Sequence, residues 1–466
     1  MANILIGADP AVSHLFQTFN FANDLKDRGH VVTYVLSDDT KRECVESQGF
    51  RFYHFKPALN LPDDKSISLL ERLVPIVRKI RRLRQHARAW HYSFLDKETF
   101  QALVEALTPN LAVLETSMAL YAFPLLGRKI PVILVCSDWP RGYRDNAPQA
   151  NSHFIPTSSR LSRYRCLFEW ASFRTRSYVK VKLLGFFLMG LDVFKFYRRA
   201  ARHYGLSAPS LFDRERPMEY LRLPEMCLCP AAFDFPRELR PGRYFLDSGV
   251  RQAEPEGGAG EDFPWDRLRS DIPTIFCSFG SILSESGRWR GAVRNVLREI
   301  VGAFSNESRF QLVARVGAKF DISEFDSAPD HILVINKWIP QIKVLRRASV
   351  HITHGGFSSI RESIECQVPM IVIPFNNDQP GNAARVVYHN LGVRVMLSKV
   401  VGAEIVKQSK LLIDSPMYKE SLRKMKLEFD RQRAKQSAAD LIESQLLVTP
   451  KVISASSEAV EAGSNK

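Results

Sequence analysis

HITHGGFSSIRE, residues His351 to Glu362, contains a β-branched stretch, then two glycines, two serines and the beginning of a helical pattern. A buried strand that passes through a glycine-rich loop into a helix is the building unit of parallel α/β folds. Backbone N–H groups at the start of such a helix, with the helix dipole behind them, bind anions. The stretch therefore predicts both an α/β fold and an anion-binding loop.

The same unit occurs at the N-terminus. NILIGA (residues 3–8) is a short apolar run, residues 16–27 have helical spacing, and HVVTYVL (residues 30–36) is again apolar and β-branched. Further strands of this type are expected at residues 111–114 and 131–136. This order predicts a doubly wound parallel sheet.

A second α/β series begins at PTIFCSFGS, residues 273–281. Between the two series, residues 236–270 are rich in glycine and proline and predict a linker. The predicted fold class is therefore α/β, with two Rossmann-like, doubly wound parallel-sheet domains that face a cleft. The expected segments are an N-terminal domain (1–235), the linker (236–270), a C-terminal domain (271–425), a C-terminal helix that packs back on the N-terminal domain (426–449) and a disordered tail (450–466).

Composition and charge limit the function classes. The chain has 466 residues, enough for two domains, and its seven cysteines show neither disulfide nor zinc-ligand spacing, so a reducing cytoplasm is the expected compartment. Its net charge is +15, with basic residues concentrated in 72–88 and 160–203. Such segments suit phosphates or an anionic membrane surface, and no nucleic-acid motif accompanies them. A solvated face on a basic protein is the simpler alternative.

No secretory signal and no apolar run long enough to span a membrane is found in the sequence. The protein is therefore expected in the cytoplasm. The basic segments add the expectation of peripheral contact with the inner face of a membrane.

Residues suited to a sugar nucleotide surround the anion loop. His354, Ser358 and Ser359 offer hydrogen bonds to a diphosphate, and Glu362 offers a carboxylate to a ribose diol. Trp338 has a flat face for a base, and Asp378 and Gln379 are suited to sugar hydroxyls. Taken singly, each has a structural alternative: a turn, a helix cap or a core side chain. Their combination in this order favours a nucleotide-sugar site.

The stretch from Trp338 to Asn382 resembles the UDP-glycosyltransferase family (glycosyltransferase family 1, GT-B fold). It contains the elements WxPQ, HxGxxSxxE and Px3DQx2N. The resemblance implies that Trp338 stacks on uracil, that Gln341 contacts the base or ribose, and that His354, Gly356, Ser358 and Ser359 meet the diphosphate. It also implies that Glu362 holds the ribose, that Asp378 and Gln379 hold the sugar, and that Gly280 and Ser281 form a second phosphate-side loop.

The N-terminal stretch SHLFQTFNFANDLKDRGHVVTYV resembles the same family, in which a histidine at the place of His14 is the general base. By spacing, His14 is expected in the loop after the first strand. The family pairs this base with an aspartate after a later strand. The corresponding residue here is Glu115, with Asp138 as the reserve candidate.

The resemblance implies inverting, metal-independent transfer of a hexose, with glucose favoured, from a UDP-sugar to a hydroxyl of a lipophilic acceptor. No cofactor is expected beyond that co-substrate. The segments FDFP and FPWDRL look like the linker of bacterial macrolide-type and carotenoid-type glucosyltransferases. Two alternatives remain at this point: a non-catalytic sugar-nucleotide-binding or scaffold protein, and an epimerase with the same fold.

Overall fold

The computed structural model describes residues 1–10, 12–56, 81–86, 89, 92–137, 139, 147–184, 193–207, 223–236, 241–250, 263–280 and 287–447. These residues form two parallel sheets with helices around them. None of the helices within these ranges is long and apolar enough to cross a membrane. The disordered tail expected at residues 450–466 lies outside the described residues.

The N-terminal sheet has seven strands in the order β3-β2-β1-β4-β5-β6-β7, and all its pairings are parallel. The strands are β1 (Asn3–Gly7), β2 (Val31–Leu36), β3 (Arg51–His54), β4 (Leu111–Glu115), β5 (Val132–Cys136), β6 (Glu225–Cys227) and β7 (Arg243–Phe245). The chain order reverses between β1 and β4, so the ends of these two strands flank the crevice where ligands bind in such sheets.

The second sheet repeats this arrangement with six parallel strands in the order β10-β9-β8-β11-β12-β13. They are β8 (Thr274–Ser278), β9 (Gln311–Arg315), β10 (Ile332–Ile335), β11 (Ala348–Thr353), β12 (Met370–Val372) and β13 (Gly392–Arg394). Here the order reverses between β8 and β11. Because each residue of β8 is buried, its apolar sequence is that of a strand covered on both faces.

The helices cover both faces of the sheets. They are α1 (Val12–Asp27), α2 (Arg42–Glu46), α3 (Lys97–Leu107), α4 (Ala122–Leu126), α5 (Arg160–Leu184), α6 (Val193–His203), α7 (Arg290–Ser305), α8 (Gln341–Leu345), α9 (Phe357–Glu365), α10 (Gln379–Tyr388), α11 (Gly402–Asp414), α12 (Pro416–Lys435) and α13 (Ala438–Leu446).

Strand β7 corrects the predicted linker. Arg243–Phe245 falls inside residues 236–270, yet it pairs in parallel with β6 and completes the N-terminal sheet. Arg243 also pairs with Glu225 at 2.5 Å, both side chains being largely buried. A three-residue strand among glycines and prolines has too few residues for a periodic signal, which is why the segment reads as a linker.

The end of the described chain returns to the N-terminal domain. The apolar face of α13 belongs to the same core as α1 and β1. Outside that core, Glu443 accepts a hydrogen bond from Arg28 at 2.7 Å and contacts His30 at 3.0 Å. Helix α12 runs continuously through residue 425, the predicted end of the C-terminal domain.

Candidate functional site

A cavity of about 520 Å³ lies between the two sheets. Its lining comes from both domains, so neither domain forms it alone. The N-terminal side supplies His14, Gln17, Ser137, Gln149, Ala150, Asn151, Trp170 and Phe173. The C-terminal side supplies Phe279, Gly280, His354, Gly356, Phe357, Ser358, Ser359, Asn376, Asn377, Asp378 and Gln379.

The N-terminal wall carries a histidine–carboxylate pair. Nδ1 of His14 forms a short contact with Oε1 of Glu115, although 101 residues separate them in sequence. His14 follows β1 and Glu115 ends β4, and these neighbouring strands flank the reversal of the first sheet. The pairing expected of the two residues is therefore present in the fold.

The position of His14 differs from the predicted loop. Helix α1 begins at Val12, so His14 lies in its first turn. Apolar spacing marks the helix only from Phe16, whereas the residues just after Pro10 are compatible with a helix without showing its periodicity. A residue in the first turn of a helix is held more rigidly than one in a loop. This rigidity suits a side chain that must keep a fixed orientation.

Glu115 is buried and well supplied with donors. Its Oε1 accepts a hydrogen bond from the Ser137 hydroxyl at 2.9 Å, and its Oε2 accepts one from the backbone N–H of Asp9 at 2.6 Å. Burial alone would raise the pKa of this carboxyl, but the hydrogen bond and charge of His14, with those two donors, hold the pKa below its usual value. Glu115 is therefore ionised at neutral pH and keeps the Nδ1 proton on His14.

The reserve candidate Asp138 lies outside the described residues. Its neighbour Ser137 is the group that completes the carboxylate site, and sequence reasoning missed it. The signal was available, because Ser137 directly follows β5, the strand beside β4.

The C-terminal wall is a loop-to-helix cradle. Gly356 is the N-cap of α9, and Ser358 and Ser359 lie in the first turn, so the helix N-terminus and its hydroxyls border the cavity. Gly280 follows β8 and has a φ of +70°, a conformation that favours glycine. Since β8 and β11 flank the reversal of the second sheet, the two loops meet where an anion is expected. Ser281 lies outside the described residues.

The His354 ring is enclosed by these glycines. A Cβ atom on Gly280 would lie 3.0 Å from its Cε1, and one on Gly356 would lie 2.5 Å from its Nε2. Burial lowers the pKa of His354 to about 4. The imidazole is therefore neutral at physiological pH and acts as a hydrogen-bonding group, without a positive charge.

Asp378 and Gln379, which the sequence predicts to hold the sugar, border the cavity at the start of α10. Gln379 Oε1 accepts hydrogen bonds from the backbone N–H groups of Phe375 and Asn376 at 2.9 and 3.0 Å. Asp378 accepts one from Asn382 at 2.7 Å. Gln379 thus shapes the loop before α10, and Asp378 is oriented by its neighbour one turn along.

The residues predicted for the base and ribose form a separate group. Gln341 Nε2 donates a short hydrogen bond to Glu362 Oε2, which joins the WxPQ element to α9. Trp338 is half-buried. These three residues are not among those that line the cavity.

Several lining residues carried no sequence signal. Trp170 and Phe173 lie on α5, with ring centroids 6.0 Å apart, and the Trp170 indole N–H donates to the carbonyl of Ala147 at 2.9 Å. Gln149 donates to the carbonyl of Glu169 at 2.7 Å. No motif marks a wall built from a loop and one face of a helix, so sequence reasoning missed these residues.

Buried contacts join the two domains beside the cavity. The Trp139 indole N–H donates to Asn382 at 2.7 Å, and Nε of Arg385 donates to Asp234 at 2.8 Å. A Cβ atom on Gly381 would lie 1.7 Å from the carbonyl oxygen of Ala150, so only glycine permits this approach. The cavity walls are therefore fixed relative to each other by direct packing.

No group of three or more His, Cys, Asp or Glu side chains suited to a metal ion occurs within the described residues.

Comparison with known proteins adds the family. Residues 230–432 match the model of the family described as UDP-glucoronosyl and UDP-glucosyl transferase. This segment belongs to the UDP-glycosyltransferase family. It contains the WxPQ, HxGxxSxxE and Px3DQx2N elements that carry the motif resemblance.

Curated relatives of this glycosyltransferase family match different shares of the chain. Oleandomycin glycosyltransferase of Streptomyces antibioticus is 30% identical over 215 residues, or 45% of this chain and 48% of that protein. Zeaxanthin glucosyltransferase of Pantoea ananas is 24% identical over 465 residues, or 98% of this chain and 99% of that protein. The chain thus spans about half the length of the first relative and nearly the whole of the second.

Solved structures establish the fold over almost the whole chain. The glycotransferase of kitacinnamycin aligns with a TM-score of 0.68 at 22% identity, covering 95% of this chain and 98% of that one. The glycosyltransferase VinC, solved in complex with dTDP, aligns with a TM-score of 0.62 at 15% identity and the same coverage. These neighbours are GT-B glycosyltransferases, which confirms the predicted fold class.

Proposed function

We propose that the protein transfers a hexose, with glucose favoured, from a UDP-sugar to a hydroxyl group of a small lipophilic acceptor. One observation carries the proposal: His14, which is held by Glu115, and the N-terminus of α9 border the same cavity from opposite domains. A base on one wall and an anion cradle on the other are the two groups that glycosyl transfer requires.

The proposed mechanism is a direct displacement with inversion. Because Nδ1 of His14 donates to Glu115, the lone pair of the imidazole is on Nε2. Nε2 takes the proton of the acceptor hydroxyl, whose oxygen forms a bond to the anomeric carbon as the bond to the UDP oxygen breaks. The buried Glu115 carboxylate stabilises the imidazolium that forms.

The leaving diphosphate would be stabilised by the cradle. The N-terminus of α9 supplies backbone N–H groups and the positive end of a helix dipole, and the Ser358 and Ser359 hydroxyls add donors. These groups stabilise the charge that develops on UDP without a metal ion. We therefore propose metal-independent transfer.

The affinity for UDP-glucose should stay constant, within about twofold, between about pH 5.5 and pH 8. Burial keeps His354 neutral throughout this interval, so no charge at the cradle changes. Isothermal titration calorimetry measures the affinity. A loss of about tenfold as the pH rises through 6.5, the ordinary pKa of histidine, would show instead that a protonated His354 binds the diphosphate.

The acceptor is proposed to occupy the wall formed by Trp170, Phe173 and Gln149. Two aromatic rings with one amide suit an apolar molecule that carries a hydroxyl. The named substrates of the relatives, oleandomycin and zeaxanthin, are consistent with acceptors of this chemistry. For the location, we propose that the protein is cytoplasmic and that its basic segments contact the anionic inner face of a membrane.

Transfer is tested with purified protein, UDP-glucose and a panel of hydrophobic alcohols, macrolides and carotenoids. We expect UDP release that depends on acceptor and a product heavier by one hexose residue in mass spectrometry. Binding of UDP-glucose without UDP release or product across the panel would instead support a sugar-nucleotide-binding protein without transferase activity.

A further inference from the structure

Helix α5 has two opposite apolar faces, and the described part of the chain covers one of them. Cys166 and Trp170 are buried against the domain, and Trp170 and Phe173 line the cavity. On the opposite face, Leu161, Tyr164 and Phe168 are 81%, 68% and 74% exposed. A large apolar surface that faces water on a folded domain marks an interaction site.

The exposed stripe continues along the helix. Tyr178, Val179 and Leu183 are also exposed, and at 3.6 residues per turn the six side chains fall within an arc of about 140°. They form a strip in two parts on this helix of 25 residues, one near its start and one near its end, with Ser172 and Thr175 between them.

Basic residues lie both within the strip and beside it. Arg160 and Lys182 project inside its arc, and Lys182 lies 5.6 Å from the Tyr178 ring centroid. Arg163 and Arg174 lie along one flank, and Arg165, Arg176 and Lys180 lie along the other. The helix contains seven Lys and Arg residues and one acid, Glu169, which lies 3.9 Å from Arg165. An apolar strip between two rows of cations is complementary to a layer of acyl chains under anionic headgroups.

We propose that the outward face of α5 is a docking surface for a bilayer that contains anionic lipid, with the helix lying in the plane of the interface. The leucine and aromatic side chains enter the acyl boundary, and the arginines on both flanks meet lipid phosphates. The cations along and beside the strip, with one acid on the helix, favour an anionic lipid layer as the partner.

The docked orientation has a consequence for the cavity. Since the inner face of α5 supplies Trp170 and Phe173, docking brings the acceptor wall within one helix diameter, about 10 Å, of the membrane. A lipophilic acceptor then passes from the bilayer to the cavity without crossing bulk water. This consequence rests on the proposed function, whereas the docking itself does not.

The test is flotation with vesicles of phosphatidylcholine containing about 30% phosphatidylglycerol, at about 150 mM salt. We expect the full chain to float with these vesicles. With vesicles of phosphatidylcholine alone, it should stay unbound at the bottom of the gradient. Combined replacement of Leu161→Ser, Tyr164→Ser and Phe168→Ser should lower the partition coefficient at least about tenfold. These side chains are exposed, so the fold is expected to persist.

A matched control replaces three apolar side chains that are also exposed, on α11 and α12: Leu411→Ser, Met417→Ser and Leu427→Ser. This variant should float like the parent protein. Equal loss in both variants, or no flotation of the parent protein, would overturn the proposal. If the parent protein binds no lipid and sediments as a dimer, and only the α5 variant sediments as a monomer, the face is an interface with a second copy and the proposal is wrong.

Turnover separates the docking from the proposed function. With a water-soluble acceptor and no vesicles, the α5 variant should release UDP at the rate of the parent protein. With acceptor embedded in anionic vesicles, it should be at least about tenfold slower. If the parent protein floats but releases no UDP, docking is upheld and the transferase activity is refuted. If the parent protein and the α5 variant release UDP at equal rates with the embedded acceptor, delivery through the docked face is refuted.

Discussion

Replacement of His14 with alanine should lower kcat by about 10²- to 10⁴-fold, the usual contribution of a general base. The Kd for UDP-glucose should change little, because the anion cradle belongs to the other domain. The reason lies in the geometry of the pair: Glu115 fixes the Nδ1 proton, and the opposite nitrogen is the basic one. Steady-state kinetics of UDP release, with calorimetry for donor affinity, measures both quantities.

Two variants control this result. His54→Ala removes an exposed histidine of the same domain and should leave kcat unchanged. Glu115→Gln keeps the shape of the carboxylate but removes its charge, so it should lower kcat in the same direction as His14→Ala. If the His14 variant turns over at the rate of the parent protein, the proposed base is wrong.

Replacement of Asp234 with alanine should lower the free energy of unfolding by about 3–5 kcal/mol, because it leaves a buried guanidinium without its carboxylate. The Arg385 and Asp234 side chains are 1% and 0% exposed, and the two charges meet at 2.7 Å. The guanidinium also lies 4.3 Å from the Trp139 ring centroid and donates to the carbonyl of Gly381 at 2.9 Å. Urea unfolding followed by tryptophan fluorescence measures the loss.

The comparison for this variant is Asp271→Ala, which removes the partner of Arg269 in a pair exposed to solvent. Exposed pairs contribute little, so this change should hardly move the unfolding midpoint. The double replacement Asp234→Leu with Arg385→Met should recover much of the stability, since a buried ion pair is replaceable by apolar side chains. An Asp234 variant as stable as the Asp271 variant would contradict the role of the pair.

The sequence predicts those parts of the structure that rest on local patterns. HITHGGFSSIRE forms the strand, loop and helix expected of it, because β-branched residues, glycines and helix-compatible spacing follow one another without conflict. The His14–Glu115 pairing follows from the family resemblance and not from local pattern. His14 lies in the first turn of α1, after β1, and Glu115 ends the neighbouring strand β4.

The parts that sequence reasoning missed depend on contacts between distant segments. Strands β6, β7 and β13 have three residues each, and only their pairing partners define them. The wall proposed for the acceptor likewise combines a loop with one face of α5. Asp234 and Arg385 lie 151 residues apart, and nothing in either sequence neighbourhood indicates that they meet.

A proton NMR time course of one reaction, with UDP-glucose, a hydrophobic alcohol accepted by the protein and excess EDTA, tests the central claim most directly. We expect the α-anomeric signal of UDP-glucose to decline as UDP and a β-glucoside appear in equal amounts. Loss of UDP-glucose without a glycoside, formation of an α-glucoside, or complete inhibition by EDTA would contradict inverting, metal-independent transfer from the cavity between the two sheets.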